Sequence, residues 1–280
     1  MYYQFHSVLS PAKLNLGLKI VGKRLDGYHL LKSVFCLIDL YDKIDIQITP
    51  NGKVSLIEHQ QAWFYQKDLA YKAAILLQEA CGSNMGANIK IKKVIPSGAG
   101  MGGGSSNAAT VLIVLNHLWK AGLTTDELLK LGAQLGADVP FFIRGQNALV
   151  EGIGEMITPI EIPELYFVIV KPPFHAPTKD IFAALELDFK QCNANNVSTT
   201  QLITQKENDL EAPVRKLYPE INTVFSELNQ YGKATMTGSG SSIYLSFTDK
   251  NSAKNVANIL SARYNTFLAA SLAVSPVACD

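Results

Sequence analysis

The residues of this chain that most clearly indicate chemistry form a run rich in glycine and serine, between a predicted strand at 88–94 and a predicted helix at 106–120. Glycine adopts positive φ angles and lets a ligand approach the backbone, and the N–H groups at the start of a helix attract anions. We therefore predict that the run holds phosphate groups, and we call it the phosphate loop. Its members are Pro96, Ser97, Gly98, Ala99, Gly100, Met101, Gly102, Gly103, Gly104, Ser105 and Ser106.

Two familiar phosphate-binding motifs fit the phosphate loop poorly. Its glycines at 98, 100 and 103 match a dinucleotide-binding fingerprint, but the acidic residue expected about twenty positions later is absent, because that position falls near Lys120. A Walker A loop needs a lysine before its Ser or Thr, and this loop has Gly104-Ser105-Ser106 instead. A simple flexible turn is also disfavoured, since so many glycines lose much backbone entropy on folding.

Lys13 and Asp138 are single charged residues in apolar surroundings, in Pro11-Ala12-Lys13-Leu14-Asn15 and Gly136-Ala137-Asp138-Val139-Pro140. Taken alone, Lys13 fits a surface lysine on an edge strand, and Asp138 fits a helix cap as well as a functional carboxylate. In phosphoryl transfer, an aspartate can accept the proton of the substrate hydroxyl while a lysine stabilises the developing charge.

Taken together, these segments resemble the GHMP kinase family. The phosphate loop is similar to the family's Pro-x-x-x-Gly-Leu-Gly-Ser-Ser motif, with Met101 in place of the usual leucine, and the segment around Lys13 is similar to the first motif. Thr237-Gly238-Ser239-Gly240, the second glycine loop, resembles the third motif, which supports the phosphate loop. The resemblance implies an enzyme that uses ATP and Mg²⁺, with Lys13 and Asp138 as catalytic residues. It identifies no metal ligands, although the hydroxyls of Ser105 and Ser106 suit phosphate oxygens or magnesium.

A hairpin with the sequence Asp26-Gly27-Tyr28-His29 is similar to a signature of one group of GHMP kinases, whose small-molecule substrate carries a cytidine diphosphate. The resemblance implies that Tyr28 stacks on the cytosine and that His29 hydrogen-bonds its edge. Phe182 is either the opposing ring of this base sandwich or a core residue. Asn15, in the same motif as Lys13, is expected to bind substrate. Residues 172–175 depart from the usual Pro-Gly pattern and predict no particular contact.

Two alternative functions remain open from the sequence. A GHMP kinase of the homoserine or mevalonate type would share the phosphate loop but lack the Tyr28-His29 signature. A non-catalytic nucleotide-binding regulator would share the fold, but the retention of Lys13 and Asp138 argues against it.

The composition is that of an ordinary globular enzyme. Of 280 residues, 48% are hydrophobic and 18% are charged, and the net charge of +1 gives no reason to expect nucleic acid or a membrane as partner. The four cysteines, Cys36, Cys81, Cys192 and Cys279, are scattered and lack zinc-ligand spacing, so we expect reduced thiols. Because no signal peptide or membrane-spanning run is evident, we expect a cytoplasmic protein, either a monomer or a homodimer.

The patterning predicts an α+β protein of two domains, an ATP-binding domain at 1–170 and a C-terminal domain at 171–280. Predicted strands are 14–21, 43–48, 53–57, 88–94, a hairpin within 148–160, 166–170, 234–236 and 242–247. Predicted helices are 68–80, 106–120, 125–135, 180–187, 211–217, 220–231 and 252–264. The family resemblance implies that the first domain is an α/β domain like ribosomal protein S5 and that the second is ferredoxin-like.

Overall fold

The computed structural model describes residues 4–57, 67–185 and 197–278, and these form two β-sheets covered by helices. The first sheet has the order β3-β4-β2-β5-β6, and β1 pairs along β2 as a long antiparallel hairpin with three irregularities in register. This hairpin places Lys13 opposite Leu37. The strands are β1 (His6–Lys23), β2 (His29–Thr49), β3 (Val54–Leu56), β4 (Gly86–Lys92), β5 (Ala148–Gly152) and β6 (Met156–Pro159).

Four helices belong to the first half of the chain: α1 (Leu69–Cys81), α2 (Gly103–Leu118), α3 (Thr125–Leu135) and α4 (Val139–Arg144). Their apolar side chains, such as Leu77, Leu112 and Phe141, form a buried cluster with the sheet. The start of α3 is fixed by a capping box, in which the side chains of Thr124 and Glu127 each accept a backbone N–H of the other residue.

The second sheet has the order β10-β7-β9-β8, and all its pairs are antiparallel. Its strands are β7 (Tyr166–Lys171), β8 (Thr235–Met236), β9 (Ile243–Phe247) and β10 (Asn265–Ala270). The helices of this half are α5 (Thr178–Ala183), α6 (Thr199–Gln205), α7 (Glu211–Leu217), α8 (Ile221–Leu228) and α9 (Lys250–Ser261). A second cluster, which includes Val168, Phe225 and Leu260, packs between them.

A third buried cluster joins the two sheets. Leu14 and Leu16 from β1 pack in it with Phe167 from β7 and Tyr244 from β9, whose rings meet edge to face at 5.7 Å. As a result, β1 is buried at every position from 10 to 18. The sequence predicted only 14–21 of this 18-residue strand, because Ser10-Pro11-Ala12-Lys13 lacks an alternation of apolar and polar residues, as is common in strands covered on both faces.

The predicted α+β class is confirmed, and each predicted strand and helix corresponds to an observed element. The short helices α4 and α6 and the strand β10 were not predicted. The helix predicted at 180–187 is observed as α5, and residues 186 and 187 lie outside the described part of the chain. The division at 170/171 stays a prediction; it falls within β7, which runs to Lys171 and is hydrogen-bonded into the second sheet.

Among the described residues, no helix is long and apolar enough to cross a membrane. Cys36 and Cys81 are free thiols, whereas Cys192 and Cys279 lie outside the described residues. Burial raises the pKa of Cys36 to about 12, so this thiol stays protonated and unreactive at neutral pH.

Candidate active site

A cavity of about 840 Å³ lies where the two halves of the chain meet, and both glycine loops line it. Lys13 and Asp138 contribute to its wall from the first half, together with Tyr28 and His29 from the β1–β2 hairpin. Phe182 contributes from α5. The structure thus gathers at one cavity the catalytic, nucleotide-binding and substrate-binding candidates that the sequence places far apart.

The phosphate loop wraps around the start of α2. Gly98, Gly100 and Gly102 have φ angles of 60°, 78° and 70°, which side chains rarely adopt, so glycine is required for this path. Gly102 is the N-cap of α2 and supplies no side-chain cap, so the first N–H groups of the helix are left for a ligand. A helix of 16 residues adds the positive end of its dipole at the same point.

Two of the eleven predicted nucleotide-binding residues face the protein interior rather than the cavity. Met101 is buried in the cluster between the sheets. Ser106 is fully buried, and its hydroxyl lies 2.7 Å from the hydroxyl of Ser10 on β1. The other nine line the cavity. The role of Ser105 as a ligand for phosphate or metal therefore stays a prediction, while the hydroxyl of Ser106 is committed to joining α2 to β1.

Asp42, a residue that the sequence did not single out, fixes the start of the phosphate loop. It is fully buried on β2, and its Oδ1 accepts the backbone N–H groups of Val94 at 2.7 Å and Ile95 at 2.9 Å. Its Oδ2 accepts from Asn107 Nδ2 at 2.9 Å and forms an ion pair with Lys93. One carboxylate thus connects β2, the entry to the loop and the first turn of α2.

The second glycine loop packs directly on the phosphate loop. Thr237 Oγ1 donates to the carbonyl of Gly100 at 3.3 Å, and a Cβ at Gly100 would overlap the Thr237 carbonyl oxygen. Asn208 holds the second loop in turn, because its Nδ2 donates at 2.8 Å to the carbonyls of both Met236 and Gly238. The supporting role expected for Thr237-Gly238-Ser239-Gly240 matches this packing.

Lys13 and Asp138 form a pair on the cavity wall. Lys13 Nζ lies 3.5 Å from Asp138 Oδ2, and the side chain of Lys13 is only 4% exposed while that of Asp138 is 31% exposed. Asp138 occupies the N-cap position of α4, yet its carboxylate makes no capping hydrogen bond. The carboxylate is therefore available to the cavity instead of being used to start the helix.

Burial lowers the pKa of Lys13, and the charge of Asp138 together with their hydrogen bond opposes this shift. The ammonium also lies over the ring of Phe35, 4.3 Å from its centroid, and donates to Asn15 Oδ1 at 2.7 Å. These contacts hold the ammonium in one place beside the start of α2. Lys13 is therefore a buried cation with defined geometry, not the exposed edge-strand lysine that its residue type alone would favour.

Asn15 lies behind Lys13 and is itself buried. Its Oδ1 accepts from Lys13 and lies 3.3 Å from Thr237 Oγ1, whose single proton it shares with the Gly100 carbonyl. Its Nδ2 donates to Ser33 Oγ at 2.9 Å. Both ends of the side-chain amide are thus already bonded to protein groups. A direct contact with substrate stays a prediction, whereas the positioning of the Lys13 ammonium is visible in the structure.

The aromatic candidates occupy one end of the cavity. The rings of His29 and Phe182 lie 5.3 Å apart at an angle of 31°, and Tyr28 is 62% exposed at the hairpin tip. Burial and the nearby charge of Lys23 lower the pKa of His29, which favours the neutral imidazole. Phe182 also packs at the edge of the second core cluster. Its role as the opposing ring of a base sandwich stays a prediction.

The donors near the phosphate loop suit magnesium chemically, since the Ser105 hydroxyl and the Asp138 carboxylate line the same cavity and Mg²⁺ prefers oxygen ligands. Within the described residues, no group of three or more His, Cys, Asp or Glu side chains is arranged to hold a metal ion. Mg²⁺ in phosphotransferases is commonly held by one or two carboxylates and the substrate phosphates, so a small protein donor set fits it.

Comparisons with known proteins agree with this site. The model of the GHMP kinases N terminal domain matches residues 68–146, and that of the GHMP kinases C terminal domain matches residues 191–266. Together with the relatives described next, these matches establish that the chain belongs to the GHMP kinase family.

Two curated relatives share the name 4-diphosphocytidyl-2-C-methyl-D-erythritol kinase. The one from Neisseria gonorrhoeae (strain NCCP11945) is 46% identical over 268 residues, which cover 96% of this chain and 95% of the relative. The one from Chromobacterium violaceum is 42% identical over 283 residues, with coverage of 99% and 98%.

Solved structures show the same relationship. A crystal structure of 4-(cytidine 5'-diphospho)-2C-methyl-D-erythritol kinase matches with a TM-score of 0.82 and 33% identity, covering 95% of this chain and 99% of the other. Homoserine kinase from Cytophaga hutchinsonii matches with a TM-score of 0.73 and 18% identity over 98% of both chains. The second match supports the fold alone. The two family models and the first structure confirm the expected GHMP kinase fold.

Proposed function

We propose that the protein transfers the γ-phosphoryl group of ATP to the 2-hydroxyl of 4-diphosphocytidyl-2-C-methyl-D-erythritol, giving the 2-phosphate and ADP in the non-mevalonate route to isoprenoid precursors. The observation that carries this proposal is the Lys13–Asp138 pair, held 3.5 Å apart on a cavity shared by the phosphate loop and an aromatic subsite. The names of the relatives at 42–46% identity support the choice of substrate.

In this mechanism Asp138 accepts the proton of the attacking hydroxyl. Its carboxylate reaches the cavity because it makes no capping bond to α4. Lys13 stabilises the negative charge that develops on the transferred group, and the N–H groups at the start of α2 hold the nucleotide phosphates. Since Lys13 is positioned by Asn15 and Phe35 before substrate arrives, little reorganisation is needed during the reaction.

The other end of the cavity binds the cytidine. His29 and Phe182 offer ring surfaces, and the family resemblance implies that the imidazole of His29 hydrogen-bonds the edge of the base. The exposed ring of Tyr28 closes over the base from the hairpin tip. Magnesium, when bound with ATP, would neutralise phosphate charge, and the Ser105 hydroxyl would help to hold it while Asp138 remains the base. A cytoplasmic location, a monomeric or homodimeric state and the lack of a nucleic-acid partner belong to the same proposal.

An assay of ADP release tests this function and separates it from its rivals. The cytidine substrate, homoserine and mevalonate are compared at equal concentrations, and faster turnover of either alternative would reject the proposed substrate. Asp138→Asn should lower kcat by about 10²- to 10⁴-fold, the usual contribution of a general base, while ATP binding is retained. Asp126→Asn, on the exposed first turn of α3, is the matched control. A wild-type chain that binds ATP but turns over no substrate would favour the non-catalytic regulator.

A further inference from the structure

Residues 172–178, which we call the bridging segment, connect β7 to α5 and contact both glycine loops. His175 Nδ1 lies 3.1 Å from the carbonyl oxygen of Gly98, and Thr178 Oγ1 lies 2.7 Å from Ser239 Oγ. A carbonyl oxygen only accepts hydrogen bonds, so His175 must donate from Nδ1. The bridging segment therefore joins the second half of the chain to the first turn of the phosphate loop.

The base of the bridging segment is firmly anchored. Lys171, at the end of β7, donates to the carbonyls of Pro172 at 2.7 Å and Phe174 at 2.5 Å, and to Ser241 Oγ at 2.9 Å. Ser241 Oγ also donates to the carbonyl of Phe174 at 2.8 Å. His175 follows this anchor directly, so its ring is presented to the phosphate loop from a fixed support.

The shapes of His175 and Gly98 are complementary. Gly98 has a φ angle of 60°, and a Cβ at this position would overlap the imidazole ring. The ring thus fills the space beside the glycine, and both residues line the cavity. Such a contact restricts a turn that three positive-φ glycines would otherwise leave free to move.

We propose that His175 is a positioning residue for nucleotide binding, whose Nδ1–H holds the Gly98 carbonyl and keeps the phosphate loop in its binding conformation. This inference rests on the proposed function in taking ATP as the ligand of the loop. Because the bridging segment leads into α5, the same hydrogen bond connects the loop to the element that carries Phe182.

Three substitutions test the role of the Nδ1 donor, with binding of a non-hydrolysable ATP analogue and Mg²⁺ measured by calorimetry. His175→Ala should weaken binding by roughly three- to tenfold, the effect of one lost hydrogen bond. His175→Asn should restore binding to within about twofold, because its Nδ2 is attached at the same position along the side chain as Nδ1. His175→Gln extends the donor by one bond and should bind like the alanine variant. His117→Ala, an exposed histidine in the last turn of α2, is the control and should bind like wild type.

The outcomes separate this proposal from the proposed function. Equal affinity of wild type and His175→Ala would overturn the positioning role, and so would an asparagine variant as weak as the alanine variant. Failure of the wild-type chain to bind the analogue would overturn nucleotide binding itself, and the role of His175 with it. Thermal unfolding of the ligand-free variants should match wild type. If a His175 variant shows a larger drop in Tm than the His117→Ala control, the role of His175 is in stability instead.

Discussion

Truncation of Asp42 to alanine should lower the free energy of unfolding more than truncation of either other carboxylate on β2, Asp39 or Asp45. This is expected although Asp42 does not line the cavity. The carboxylate is fully buried and accepts from two backbone N–H groups, from Asn107 and from Lys93. Alanine removes both oxygens and leaves these donors in place. Each buried donor then loses a hydrogen bond that water cannot replace.

The structure sets the expected magnitude. The N–H of Ile95 and the amide of Asn107 are buried, and a buried donor without a partner costs about 1–3 kcal/mol. Val94 lies partly open to solvent, and the side chain of Lys93 is 39% exposed. Water can solvate both donors once the carboxylate is removed, so neither adds much to the loss. The free energy of unfolding should therefore fall by about 2–6 kcal/mol, from a total of about 5–15 kcal/mol for a typical domain.

Urea unfolding followed by circular dichroism measures this loss. Asp45→Ala, three residues along the same strand, is the matched control. The Asp45 carboxylate is partly exposed, where it accepts from the Ser7 hydroxyl and forms an ion pair with Lys43, so its loss should cost under about 1 kcal/mol. Asp42→Asn should fall between the two, since one oxygen can still accept both backbone N–H groups while its Nδ2 faces an ammonium. A loss for Asp42→Ala no larger than that for Asp45→Ala would refute the reasoning.

Three further predictions concern the loops and the aromatic subsite. In the wild type, the carbonyls of Met236 and Gly238 accept from the Asn208 amide, and Asn208→Asp places a repelling carboxylate oxygen there instead. Steady-state kinetics should show a KM for ATP raised about tenfold, with a smaller effect on kcat. The methyl group of Gly100→Ala would overlap the carbonyl of Thr237, so this variant should show no detectable binding of the ATP analogue in calorimetry. Gly122 is the control, because it has a similar φ of 71° but open space around it. Gly122→Ala should lower only the stability, by about 1 kcal/mol. Burial and the charge of Lys23 lower the pKa of His29 in the folded chain below its ordinary value of 6.5, so the unfolded chain binds more protons between the two pKa values. Wild type should therefore lose thermal stability relative to His29→Gln as the pH falls from 6.5 through the lower folded pKa, and identical pH profiles below 6.5 would contradict this.

The parts of the site that the sequence predicted are those with local signals. The helix α3 was predicted at its observed bounds, Thr125–Leu135, because its capping residues lie next to it in the chain. The phosphate loop was recognisable for a similar reason, since its five glycines fall within seven residues and lead into a helix. The assignment of Lys13 and Asp138 as partners in catalysis was predicted from the order of the family-like motifs along the chain, not from either residue alone.

The parts that the sequence did not predict depend on contacts between distant segments. Asp42 stands in an ordinary strand, and nothing beside it indicates that its partners are the N–H groups at 94 and 95. Ser105 and Ser106 are both serines, but they lie on different faces of α2. The hydroxyl of Ser106 points toward β1, whereas Ser105 lines the cavity. His175 could not be assigned because its partner, Gly98, offers only a backbone carbonyl.

These distant contacts explain how a loop of glycines can act as a rigid binding site. Glycine allows the positive φ angles that the loop needs, but it also makes the loop flexible in isolation. Rigidity must then come from neighbouring segments. His175 and Thr237 hold two different carbonyls of the loop, and Asp42 holds the backbone N–H groups directly before it. Because donors that are already oriented bind phosphate without an ordering cost, loss of any of the three should weaken nucleotide affinity more than it slows the chemical step.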